Sequence, residues 1–521
     1  MTIENIPIID IFAGPGGLGE GFSALQKQKI FPFKIKLSIE KDKDAHQTLT
    51  LRSFYRKFHK EKVPDRYYKF IKQNEGRNID DLLDQYPDIT SEIRNEVKRA
   101  ELGGKEFSEE TIDSWIRQGL KGHDRWVLIG GPPCQAYSMA GRSKNRSLEG
   151  YKAEKDNRNF LYLEYLRIIA NHWPAVFVME NVRGILSSKV KEKSIFPKIL
   201  EDLTSPANVF NGNAPDRKHT YRIFSLVMPC SNKDLFNKPE FRPSEFIIKS
   251  EDYGIPQARH RVILLGIRDD LGDVVPRTLK RKKKVSAAKV LDDLPVLRSG
   301  ISRGQDSYMD WFSTISSIKD EKWVKELENE QLRDEILNSL KRLEIPKYQR
   351  GKEFIPVASG CGYQKKWFHD RKLKGVCNSI TKEHMREDLK RYFFASTFAS
   401  VTGKSPLISD FPQELVPKHK NIMNSKGPVV FEDRFRVQVR NRPSTTVMSH
   451  LSKDGHYYIH YDPMQCRSLT VREAARLQTF PDNYCFMGSR TQQYIQVGNA
   501  VPPLLAVQIA DIVYNLLKRA D

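Results

Sequence analysis

Ile6-Pro7-Ile8-Ile9-Asp10-Ile11-Phe12-Ala13-Gly14-Pro15-Gly16-Gly17-Leu18-Gly19 is the stretch whose reading decides the fold. An apolar run of strand length passes straight into glycines and then into Gly21-Phe22-Ser23-Ala24-Leu25, which reads as strand, tight turn and helix. A second strand is expected over 34–39, and it ends at Glu40, about 20 residues past the turn. A carboxylate there can accept hydrogen bonds from ribose hydroxyls, while free N–H groups at the helix start attract carboxylate or phosphate. The spacing fits NAD, FAD and S-adenosylmethionine alike, and a tight turn without any ligand has the same pattern. The turn alone does not choose among them.

Working outward, a helix is expected around 43–58, and the charged stretch 60–125, with Leu82, Leu83, Tyr86, Ile89, Ile93 and Val97 at helical spacing, reads as a helical elaboration outside any sheet. Core-type strands follow at 126–129, 175–179 and 261–265, the first two separated by a helix at 159–171. Strands alternating with helices predict an α/β fold, a doubly wound and mostly parallel sheet, with ligands at the carboxyl ends of the strands. After Gly266 the alternation stops. Residues 1–266 are therefore expected to form the catalytic and cofactor-binding domain and 267–440 a second, smaller domain. Residues 441–521, with helices near 470–479 and 503–519, are expected to return to the first.

Lys and Arg total 86 against 65 for Asp and Glu, a net charge of +21 that favours a polyanionic partner. Lys280-Arg281-Lys282-Lys283-Lys284 concentrates part of that excess, as a phosphate-binding run or as a solvated face. The six cysteines, at 134, 230, 361, 377, 466 and 485, contain no C-x-x-C pair, which argues against a structural zinc site or a secreted disulfide scaffold. The N-terminus lacks the pattern of a signal peptide, and no apolar stretch is expected to approach the ~20 residues of a membrane span. A cytoplasmic protein is expected.

Three further segments carry chemistry. Gly130-Gly131-Pro132-Pro133-Cys134-Gln135 breaks away from the strand at 126–129, because two prolines stop the pairing and leave the thiol in a loop. Glu180-Asn181-Val182 directly follows the strand at 175–179 and supplies a carboxyl group. Gln257-Ala258-Arg259-His260-Arg261 supplies two arginines at alternate positions, expected on one face of the strand that follows. A lone cysteine is commonly an inert core residue, Glu180 could cap a helix, and the arginines could line a solvated edge. Together they form a set suited to one reaction. A thiolate adding to carbon 6 of a pyrimidine turns carbon 5 into a nucleophile, given a donor at ring nitrogen 3 and a cation at the carbonyl oxygen.

With these segments in hand, the sequence closely resembles the DNA (cytosine-5)-methyltransferase family of bacterial restriction–modification systems. The match runs through Asp10–Gly17, Gly131–Gln135, Asp156-Asn157-Arg158-Asn159-Phe160-Leu161 and Glu180-Asn181-Val182, then Gln257–Arg261, Arg467–Arg476 and Gln496-Val497-Gly498-Asn499-Ala500-Val501-Pro502-Pro503. It covers roughly 1–40, 126–266 and 440–521. The resemblance implies S-adenosyl-L-methionine as cofactor and duplex DNA as partner, with the target cytosine flipped out of the stack. It implies Cys134 as nucleophile, Glu180 at nitrogen 3 and the amino group, Arg261 at the carbonyl oxygen, and Arg259 near the target phosphate or the base. Phe12 would pack on the adenine, Glu40 would bind the ribose, and Pro133, Leu161 and Asn499 would line the pocket beside Gly14, Gly16 and Gly17. Gln135, Ser138 and Arg142 would close over the DNA. The segment 267–440 falls where the family carries its target-recognition domain; a monomer and a companion restriction endonuclease are also implied.

One position departs from the family. An acidic residue usually follows the third strand beside the adenine, and the comparable stretch here, Glu101-Leu102-Gly103-Gly104, has no clear aspartate. That contact stays unassigned. A nicotinamide oxidoreductase has no use for Cys134, Glu180 and Arg261 together. An RNA cytosine methyltransferase would share every catalytic segment but is generally shorter before residue 440. A catalytically dead DNA-binding module is disfavoured because no catalytic position is lost.

Overall fold

The computed structural model describes residues 5–58, 62–133, 160–190, 193–210, 219–230, 239–357, 360–417 and 432–520. In chain order the elements that position the site are β1 (Ile6–Ile11), α1 (Gly17–Ala24), β2 (Phe33–Glu40), α2 (Lys43–Arg56), β3 (Val97–Arg99), α3 (Glu109–Leu120), β4 (Val127–Gly130) and α4 (Phe160–His172). They continue with β5 (Val176–Val182), β6 (Tyr221–Phe224), β7 (Ile247–Lys249) and β8 (His260–Arg268), then α5 (Arg386–Thr402), α6 (Val471–Leu477), α7 (Arg490–Asn499) and α8 (Pro503–Leu517). The eight strands form one sheet in the order β3-β2-β1-β4-β5-β8-β6, with β7 also on β8. β1 to β5 pair in parallel, whereas β8 is antiparallel to β5, β6 and β7. The expected mostly parallel, doubly wound α/β fold is present.

The strand sequences explain why both faces are covered. Side chains alternate across a strand, so Ile8, Val127, Ile129, Val176, Val178, Ile263 and Leu265 meet α1 and α8 on one face. Ile9, Ile11, Leu128, Phe177, Met179, Val262 and Leu264 meet α3 and α4 on the other. Every one of these strands is apolar at consecutive positions because neither face sees water.

Two expectations need correction. The stretch 60–125 is not wholly helical: Val97–Arg99 follows a helix over Pro87–Glu96 directly and pairs in parallel with β2, so the sheet runs through it. The chain also contains a segment, Arg490–Leu517, long and apolar enough to cross a membrane by length and composition. Its apolar window is 72% buried inside the protein, where it forms core rather than a lipid-facing surface.

Among the described residues the part after Gly266 builds only two-stranded pairs and no second large sheet. One hydrophobic cluster runs from Ala287, through Trp311, Trp323 and the buried side of α5, to Leu469, Tyr494 and Ala500. α6 opens with a capping box in which Thr470 and Glu473 satisfy each other's backbone N–H groups. Beyond Ala500 the chain crosses to the main sheet, where α8 packs in the same cluster as α1.

Candidate active site

β1, β2, β4 and β5 are parallel, so Phe12, Glu40, Gly131 and Glu180 all emerge at or just past one edge of the sheet. The glycine turn is built there by backbone geometry. Gly14 and Gly16 hold φ of 56° and 89°, in the left-handed region that costs a side chain energy, and Phe12 itself is held at φ 54°. Gly17 opens α1 so close to Val501 that a Cβ would lie 2.2 Å from its carbonyl oxygen.

Glu40 closes the turn from the end of β2. Its carboxylate accepts the Gly14 N–H at 2.7 Å and the Asp42 N–H at 2.8 Å. Burial pushes the Glu40 carboxyl up, and these backbone N–H groups oppose the rise. Each oxygen keeps lone-pair capacity for a further donor, so a ribose-type hydroxyl fits the arrangement. Beneath the turn, Asp10 is buried with neither carboxyl oxygen partnered. Pro133 sits half-buried past β4, Leu161 half-buried in the first turn of α4, and Asn499 exposed at the end of α7.

The second half of the site forms where β4, β5 and β8 meet. Glu180 lies in β5, and the register pairs the neighbouring Val182 with Arg261 of β8. Arg261 Nε lies 2.9 Å from Glu180 Oε1, an ion pair whose N–H is aimed off the hydrogen-bond line. Burial lowers the Arg261 guanidinium and Glu180 opposes that shift. Gly131, just past β4, lies against this pair: a Cβ there would lie 2.9 Å from Glu180 Oε2. Asn181 Nδ2 donates to the Pro132 carbonyl at 3.3 Å, tying the loop's first residues to β5. Cys134, Gln135, Ser138 and Arg142, with the segment 156–159, lie outside the described residues.

Gln257–Arg261 sits at the beginning of a strand, not at a carboxyl end. Because β8 runs antiparallel to β5, its beginning shares the edge where the parallel strands finish. Nor do the two arginines share a face of one strand. Gln257 and Ala258 pair with Ser444 and Thr445, and β8 begins only at His260, so Arg259 sits at the break between them. Arg259 is buried, and its Nη1 donates to the Val447 carbonyl at 2.9 Å. Gln257 Oε1 accepts the Val447 N–H at 2.7 Å, and Ala258 O accepts the Thr446 hydroxyl at 2.6 Å. The segment thus clamps the 444–449 loop through Arg259 and pairs Arg261 with Glu180. That loop escaped the sequence reading. Its one signal was Gly498, where a Cβ would lie 2.3 Å from Ser449 N, so the glycine marks a close approach of α7 to the loop.

A doubly wound α/β sheet thus carries a glycine turn closed by a buried carboxylate, and a paired carboxylate and arginine, on one edge. Comparison with known proteins narrows this to one family. The model for the C-5 cytosine-specific DNA methylase family matches residues 96–206 and 233–515, and the chain belongs to that family. It is 31% identical to the type II methyltransferase M.Bpa9945I of Bacillus paralicheniformis, over 98% of this chain and 99% of that protein. It is 26% identical to M.DdeI of Desulfomicrobium norvegicum, over 97% of this chain and 87% of that protein. Among solved structures, a putative DNA modification methyltransferase of E. coli superposes with a TM-score of 0.49 at 19% identity, covering 99% of this chain and 100% of that one. The enzyme is a DNA (cytosine-5-)-methyltransferase.

Proposed function

We propose that the chain methylates carbon 5 of a flipped-out cytosine within a specific duplex sequence, through a covalent adduct with Cys134, as the modification half of a restriction–modification system in the bacterial cytosol. The observation that carries this reading is the Glu180–Arg261 ion pair, standing directly behind the glycine that opens the Cys134 loop. S-adenosyl-L-methionine fits the first half of the edge, held by Phe12, Gly14, Gly16, Gly17, Glu40, Pro133, Leu161 and Asn499, and when bound it supplies an electrophilic methyl group.

The chain's own residues do the rest. The Cys134 thiolate adds to carbon 6 of the ring, and the electron pair displaced from the 5–6 double bond makes carbon 5 nucleophilic; once methylated, carbon 5 gives up its proton, and the electron pair left behind re-forms the 5–6 double bond and expels the thiolate. Glu180 holds a proton at ring nitrogen 3 and accepts from the exocyclic amine. Arg261 places its charge at the carbonyl oxygen, where negative charge grows. Arg259 serves by holding the 444–449 loop. Gln135, Ser138 and Arg142 follow Cys134 in the sequence and serve to close over the DNA. Residues 1–266 and the returning end of the chain make the catalytic unit, and 267–440 reads the target.

The test is transfer of labelled methyl groups to DNA with bisulfite mapping, for wild type and Cys134→Ser. Wild type should label cytosine in DNA and the serine variant should not. Equal transfer by both, or labelling of RNA alone, overturns the reading. DNA containing 5-fluorocytosine should trap a covalent complex through Cys134, because no proton can leave carbon 5.

A further inference from the structure

Between Asp273 and Asp292 the chain carries Arg277, Lys280, Arg281, Lys282, Lys283, Lys284 and Lys289 and not one acidic residue. Residues 274–286 form neither helix nor strand, yet they are pinned. Leu279 N–H donates to the Leu226 carbonyl, Lys282 N–H to Asp252 and Ala287 N–H to Arg442, each at 2.8 Å. The side chains of Leu279 and Val285 are buried on either side, while all five residues from Lys280 to Lys284 are exposed. A solvated charge run has no need of such anchors. Anchoring holds five like charges together against their mutual repulsion, an arrangement a polyanion relieves.

The strap also has a position. Asp252 belongs to the turn directly after β7, whose Lys249 stands opposite His260, between the two site arginines. Arg442, exposed on the other side of the strap, lies two residues before Ser444, the partner of Gln257. Among the described residues the run's ion pair is Lys284 with Asp252 at 3.8 Å, where the lysine stays 63% exposed, a contact of little worth in water. No large exposed apolar residue stands within the run, so nothing in it would anchor to lipid.

We propose that Lys280–Lys284 and Arg442 form a phosphate-binding strap that grips the duplex beside the target base pair and adds affinity independent of sequence. The proposal rests on the DNA-methylating reading above. Phosphate contacts position a duplex without reading its bases, so the strap governs how tightly DNA is held and not which cytosine is modified.

The full-length chain is tested as wild type, as Lys280→Ala/Lys283→Ala/Lys284→Ala and as Arg442→Ala, with Lys34→Ala on the opposite edge of the sheet as control. Binding to a duplex containing a bisulfite-mapped site is measured across a potassium chloride series. For every phosphate that a variant no longer neutralises, the log–log salt slope should become shallower by about 0.9. The triple variant should lose about 2 to 3 units of slope and bind at least about tenfold more weakly at low salt. Its kcat at saturating DNA, its bisulfite profile and its thermal midpoint should stay those of wild type. An unchanged slope in the triple variant, or an equal loss in Lys34→Ala, overturns the strap. A changed bisulfite profile overturns its sequence independence. Absence of methyl transfer by wild type would instead sink the functional reading, so the two failures are separable.

Discussion

Asp10 shows how one side chain couples the fold beneath the glycine turn to pH. Burial raises its carboxyl to about 8, against the pull of Arg56 and with a further push from Glu40. In the unfolded chain the same group releases its proton near pH 4. Between about pH 4 and 8 the folded chain therefore holds a proton that the unfolded chain has lost. The stability this group contributes is whole below that window, falls as pH rises through it, and levels off above. Asp10→Asn, which cannot ionise, should remove this slope. Urea unfolding at pH 5 and pH 8 should show the variant gaining on wild type at the higher pH, and a constant difference would show that Asp10 is already ionised in the fold. At the chemical end of the site, Glu180→Gln keeps the shape but cannot exchange a proton at nitrogen 3. Its kcat should fall by about 10²- to 10⁴-fold with DNA binding retained, and single-turnover methyl transfer measures it.

At the scale of elements, α1 and α8 meet without the spacing side chains usually impose. A Cβ on Gly21 would lie 2.3 Å from Ala506 Cβ and 2.5 Å from the Pro503 carbonyl oxygen, closer than any real side chain comes. Gly21→Ala should force the helices apart at a cost of about 1–3 kcal/mol, read as a lowered urea midpoint with an unchanged m-value; a neutral result would mean α8 is free to shift. Elements of this kind also mark what the sequence could tell. β1, β4, β5 and β8 were legible because they are buried on both faces with runs of consecutive apolar residues, β2 because its apolar residues alternate with polar ones, and the glycine turn because its spacing belongs to the backbone. Val97–Arg99 was not, since three residues ending in Lys98 and Arg99 at the sheet's edge carry no period and follow a helix without a break. Glu180 and Arg261 were legible as residue types at strand ends. The antiparallel course of β8 was not, because periodicity carries no direction, and neither was the inward turn of Arg259, which depends on a loop 188 residues away.

For the whole molecule, the decisive fact is that the main core of the middle of the chain is a shared one, beside a small cluster of its own at Leu297, Ile355 and Val376. The cluster beginning at Ala287 is completed by Leu469, Leu477, Tyr494 and Val497 from the returning segment. Arg476 crosses the same boundary: wholly buried on α6, it pairs with Asp482 at 2.5 Å and with Asp293 at 3.1 Å, and donates to the Val290 carbonyl at 3.0 Å. Removing the guanidinium strands Asp482, which is itself buried, as an uncompensated charge, a loss of about 3–5 kcal/mol. Asp293→Asn, at the more open end, leaves the Asp482 pair standing and should cost far less. Because the cluster and the Arg476 contacts to Asp293 and the Val290 carbonyl join 287–440 to 447–500, the loss in Arg476→Ala should appear in both parts at once. With Trp115, Trp126 and Trp173 replaced by Phe in wild type and variant alike, the remaining Trp311, Trp323 and Trp367 report on the middle of the chain, and their fluorescence should fall in one transition with the far-ultraviolet circular dichroism. Two separated transitions in the variant would mean that the middle segment holds together by itself, and that Arg476 fastens a finished unit instead of completing a shared one.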